Sequence, residues 1–127
     1  MRFTIKLQTL PIGIIVFIDE PVDVILKKLK VYGLTEGDKE IIVNNPEGTM
    51  GWCVMLSNNA VIISVKQHEK RCDTVGIVAH ESYRAVMAIV EYVGDKINPD
   101  SEEFCAYLIQ YIISEIMKRI DNQKRKD

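Results

Sequence analysis

Apolar and polar residues alternate at the start of the chain, with Phe3, Ile5 and Leu7 set against Thr4, Lys6 and Gln8. A period of two predicts a strand with one solvated face. Pro11 interrupts it, and the apolar run IGIIVFI (Ile12 to Ile18) predicts a second strand. The spacing then changes to i, i+3, i+4, i+7 at Val22, Ile25, Leu26 and Leu29. That stripe predicts a short amphipathic helix, with Asp19 as its cap, Pro21 in its first turn and Gly33 as its stop.

Strand-like runs return as EIIV (Glu40 to Val43), WCVML (Trp52 to Leu56) and AVIISV (Ala60 to Val65). NNPEG and SNN supply turn chemistry between them, and the last two runs are expected to form a hairpin. Two long helices follow. The first is expected from Thr74 to about Val93, capped by Asp73 and closed by Gly94; the second runs from Glu102 to about Ile120, capped by Ser101. The order β-β-α-β-β-β-α-α predicts an α+β domain with helices packed on a mostly antiparallel sheet. It is expected to fill residues 1–121, with 122–127 as a frayed basic tail.

Composition narrows the function classes. A chain of 127 residues that is 47% hydrophobic suits one core. Sixteen basic against eighteen acidic residues leave a net charge of −2, so no global field recruits nucleic acid or an anionic membrane. The apolar runs are too short to span a bilayer. Cys53, Cys72 and Cys105 are odd in number and lack a C-x-x-C pair, which points to reduced thiols and a cytoplasmic protein.

Candidate chemistry begins at VAHESYRA (Val78 to Ala85). In H-E-x-x-H, two histidines one turn apart hold zinc and the glutamate works on the bound water. Here His80 and Glu81 stand in place, and Arg84 occupies the position of the second histidine. Residues 80 and 84 project from one face, so His80 can offer a nitrogen to a metal while Glu81 reaches a water. Glu102 and Glu103, in the first turn of the next helix, are acidic candidates if the two helices pack as an antiparallel pair through DKINPD. Each feature also has an ordinary explanation. Acidic residues suit the first turn of any helix, and Glu81 and Arg84 make an i, i+3 surface pair.

Taken together, TVGIVAHESYRAVMAIVEYVG and SEEFCAYLIQYI resemble the small zincin-type proteins of bacteriophage and prophage genomes. In that family an I-x-A-H-E-x-x-H-A helix precedes one beginning E-E-x-x-A-Y-L. The resemblance implies a zincin-like metallopeptidase fold with zinc as cofactor, His80 as first ligand and Glu81 as general base. It also implies an acidic ligand at Glu102 or Glu103, with Glu103 preferred.

Arg84 departs from the family pattern, because a guanidinium has no lone pair for a metal. A cation about 4 Å from a divalent ion is repelled by roughly 8 kcal/mol at an effective dielectric near 20. The expectation is therefore that Arg84 replaces the metal and neutralises Glu81 and Glu103, leaving a degenerate fold that binds a protein partner. The alternative is an active hydrolase in which Cys72 or His68 completes a zinc site with His80 and Glu103. A third possibility is an interaction domain whose His-Glu pair is accidental.

Overall fold

The computed structural model describes residues 1–7, 10, 12–44, 50–94 and 99–126. Strand β1 (Arg2–Lys6) keeps the alternation of its sequence, with Phe3 and Ile5 buried and Arg2, Thr4 and Lys6 exposed. Strand β2 (Gly13–Ile18) is buried almost throughout, as is β4 (Val61–Val65), whereas β3 (Gly51–Met55) is only partly covered.

The strand order β1-β2-β4-β3 makes β2 and β4 the centre and β1 and β3 the edges. β1 pairs with β2 and β3 with β4 antiparallel, but β2 and β4 run parallel, with Ile14 opposite Val61 and Ile18 opposite Val65. Two of the three pairings are antiparallel, as expected, but the parallel pair at the centre makes the sheet mixed. A parallel pair needs a crossover and cover on both faces, which explains why these two strands read as continuous apolar runs.

Cover comes from four α-helices among the described residues: α1 (Val22–Leu29), α2 (Glu36–Val43), α3 (Arg71–Tyr92) and α4 (Pro99–Lys126). Ile14, Val16 and Ile18 point toward α3 and α4, where they join Val78, Ile89, Ile112 and Ile116. Ile15 and Phe17 point the other way and pack with Ile25, Leu29, Ile42 and Trp52. The expected hairpin of the WCVML and AVIISV runs forms, closed by Leu56 N donating to Ala60 O at 2.8 Å, with Asn59 in the left-handed region at φ 71°.

EIIV is helical, not extended. Thr35 and Asp38 form a reciprocal capping box at the start of α2, and only Ile42 of the apolar trio turns inward, leaving Ile41 and Val43 exposed. Asp38 itself is buried, accepting from Ser57 N at 3.1 Å and Ser57 Oγ at 2.9 Å. Burial raises its pKa, but the hydrogen bonds from Thr35 and Ser57 prevail and hold it below the ordinary carboxylate value.

The expected caps are also corrected. α1 is preceded by Pro21, with no side-chain cap. Asp19, at φ 57°, instead accepts from Gln67 N at 2.8 Å and Gln67 Nε2 at 2.7 Å, fastening the ends of β2 and β4. α1 runs into a 3-10 turn (Lys30–Tyr32) that Gly33 ends. Asp73 lies inside the first turn of α3 and Ser101 inside α4, which continues to Lys126 through the segment expected as a frayed tail. Pro11, most of NNPEG and most of DKINPD lie outside the described residues. Among the described residues no helix is long and apolar enough to cross a membrane.

Candidate functional site

α3 lies against β3 and β4, and Gly51 sets how closely. A Cβ at Gly51 would stand 2.7 Å from Ile77 Cγ2, 3.1 Å from Glu81 Cγ and 3.3 Å from the Ser64 carbonyl oxygen. The bare glycine lets Glu81 sink beneath the helix until its side chain is only 3% exposed. The flanking residues stay outside, His80 at 70% and Arg84 at 52%. A helix with one residue per 100° allows this: position 81 falls on the buried stripe with Val78 and Ala85, and positions 80 and 84 on its rim.

The buried carboxylate sits between two partners. His80 Nδ1 lies 3.0 Å from Glu81 Oε1, a hydrogen bond that an ionised carboxylate would accept from Nδ1–H. His80 Nε2 would then be the only ring nitrogen left to act as a ligand. Arg84 Nη1 lies 3.6 Å from Glu81 Oε2, within ion-pair range, and Oε2 has no hydrogen bond among the described residues. Ser82, fully buried behind it, likewise has an unbonded Oγ. The Cys53 thiol of β3 is pushed up to about 12, first by burial, then by the Glu81 charge, with Arg84 acting in the opposite direction.

Two shallow depressions flank this cluster along the edge of the sheet. One is lined by Gly51, Cys72, Asp73, Ile77, His80 and Glu81, the other by Cys53, Met55, Arg84, Met87 and Glu91. Both belong to α3 and the edge strand β3. Among the described residues, none from α4 lines either one.

Glu102 and Glu103, the acidic candidates expected in this cluster, lie elsewhere. Arg71 at the start of α3 holds Asp121 near the end of α4 at 3.0 Å, so the pair is antiparallel as expected. Counting from that contact, His80 is level with the neighbourhood of Ile112, roughly 13 Å along the pair from Glu103 at 1.5 Å per residue. Glu102 and Glu103 are exposed, and among the described residues no ion pair joins either to His80, Glu81 or Arg84. The expected Glu81–Arg84–Glu103 network forms only at its Glu81 half.

The substitute ligands do not complete a metal set either. His68 sits at the entry of α3, where its Nδ1 accepts from Lys70 N at 3.3 Å and lies 3.3 Å from Asp73 Oδ2. Cys72 shares a depression with His80 but precedes it by eight helical residues, about 12 Å, too far for both to bind one ion. Among the described residues no group of three or more His, Cys, Asp and Glu side chains is arranged to hold a metal. With arginine at the second ligand position and no third donor gathered beside His80 and Glu81 among the described residues, the donors present do not fit zinc.

Neither Gly51 nor Cys53 stands out in the sequence as a site residue, although both border Glu81. A glycine just before a strand is too common to signal that a helix will press on it, and a buried cysteine reads as a small hydrophobe. Compared with protein-family models, curated proteins and solved structures, the chain gives no match.

Proposed function

We propose that this is a degenerate zincin-like domain of phage or prophage type, in which an ion pair stands where a metal centre would be. It works in the cytoplasm by binding a protein and has no efficient peptidase activity. The observation that carries this reading is the buried Glu81 carboxylate, flanked by His80 at 3.0 Å and Arg84 at 3.6 Å. A general base must present its oxygens to water, and this carboxylate faces a cation and an imidazole instead.

The binding surface in this reading is the edge of β3 together with the rim of α3. β3 is an edge strand, and an edge strand offers free backbone donors and acceptors to an added segment. Arg84 supports the choice: half-exposed, it has guanidinium donors beyond the one that faces Glu81.

The test is photo-crosslinking from position 84, with position 31 on the opposite helical layer as control. One partner captured repeatedly from 84 and not from 31, together with absence of casein cleavage, agrees with the proposal. Peptide cleavage that disappears in Glu81→Gln would instead establish the hydrolase.

A further inference from the structure

A different face of the molecule carries a second surface, independent of the α3 cluster. Phe104, Tyr107 and Tyr111 are 49%, 64% and 43% exposed. Their spacing of i, i+3, i+7 sets them on one stripe of α4, away from the Cys105, Leu108, Ile112 and Ile116 face that fills the core. The stripe borders an apolar groove of ≈ 290 Å³ closed by Lys6, Leu7 and Leu10 at the end of β1.

The charges at the two ends of this stripe have opposite sign. Glu103 is exposed eight residues before Tyr111, and Lys118, 66% exposed and 3.5 Å from Glu115 of its own chain, comes seven residues after it. At 1.5 Å per residue these are about 12 Å and about 10.5 Å from Tyr111, in opposite directions. A two-fold axis through Tyr111 therefore lays Glu103 of one chain against Lys118 of the other, twice. It also sets Tyr107 opposite the second copy's Glu115, a carboxylate able to accept from the phenol.

We infer that the α4 stripe is the interface of a homodimer in which two α4 helices pack antiparallel about Tyr111. The antiparallel orientation brings Glu103 to Lys118 of the second copy, where Lys118 would exchange or share its contact with Glu115, whereas a parallel pair would set like charges side by side. An isologous contact between two copies has this symmetry by construction. The interface is small. Three half-exposed aromatic rings contribute on the order of 300 Å² per chain, well under the roughly 800 Å² of a standard stable complex, so the dimer is weak and forms with rising concentration.

Sedimentation velocity on the full chain, from micromolar to millimolar concentration, tests the inference. The expected result is a monomer shifting to a dimer. Tyr111→Asp, which sets two carboxylates face to face, stays monomeric with an unchanged circular dichroism spectrum. Glu103→Lys raises the dissociation constant about fivefold at low salt, the size expected of two exposed pairs. Adding Lys118→Glu to that variant restores the dimer. A protein monomeric at every concentration, a dimer indifferent to Tyr111→Asp, or a charge swap that fails to restore association would each overturn the inference.

Discussion

Replacing Arg84 by methionine deletes a charge while keeping an unbranched stem in the depression it shares with Cys53 and Met87, so it isolates what the guanidinium does for Glu81. Two unit charges 3.6 Å apart attract by about 4–5 kcal/mol at an effective dielectric near 20. That figure is an upper bound, because Arg84 is half-exposed and water screens its side of the pair. A surface pair is worth about 0–1 kcal/mol and breaking a fully buried one about 3–5 kcal/mol. With one partner buried and one half-exposed, Arg84→Met should cost about 1.5 kcal/mol, a fall in Tm of about 5 °C for a domain of this size.

The assay is urea unfolding at pH 7 followed by far-ultraviolet circular dichroism, on a double-mutant cycle with Glu81→Gln. In the Glu81→Gln background the cost of Arg84→Met should drop by about 1 kcal/mol, because no charge remains to be stranded. High salt should shrink the coupling without abolishing it. Equal costs in both backgrounds, or a change below about 0.3 kcal/mol in the single variant, would refute the idea that Arg84 neutralises a buried carboxylate.

Three further outcomes follow from neighbouring parts of the structure. Gly51→Ala should lose about 2 kcal/mol by overpacking, since neither the Ser64 carbonyl nor the buried Glu81 stem can retreat far; thermal unfolding measures it. Asp38 has a folded pKa below its unfolded value of about 3.8, so its contribution is complete above that pH and disappears as pH falls through the folded value. Asp38→Ala should therefore cost about 2 kcal/mol at pH 7 and flatten the acid limb of the stability curve. Among the thiols, only exposed Cys72 should react quickly with a disulfide reagent at pH 8, because Cys53 is held near 12 and Cys105 is buried; fast reaction of Cys53 would contradict the buried site.

Elements governed by their own local pattern were legible in the sequence. The alternation around Phe3 and Ile5, the hairpin of the WCVML and AVIISV runs and the two long helices depend on neighbours close in the chain. EIIV looks like a strand because its β-branched residues mask the T-x-x-D capping signature just upstream, and the helix wins through Thr35, Asp38 and the pairing of Asp38 with Ser57. The parallel pairing of β2 and β4 was hidden because a buried apolar strand looks alike in either direction.

The site divides along the same line. That Glu81 and Arg84 meet is written in their i, i+3 spacing. Whether Glu103 joins them depends on how far α4 slides along α3, a quantity set by core packing and by contacts such as Arg71 with Asp121. Glu81 is buried and His80 exposed because of where the sheet lies, which no single helix pattern reports.

The most direct test of the central claim is the zinc content of untagged protein purified from zinc-supplemented cells, measured by elemental analysis beside Arg84→His. The account expects far less than one zinc per chain in the unmodified protein and a rise on restoring the second histidine. One tightly held zinc per chain in the unmodified protein, lost on His80→Ala, would contradict it.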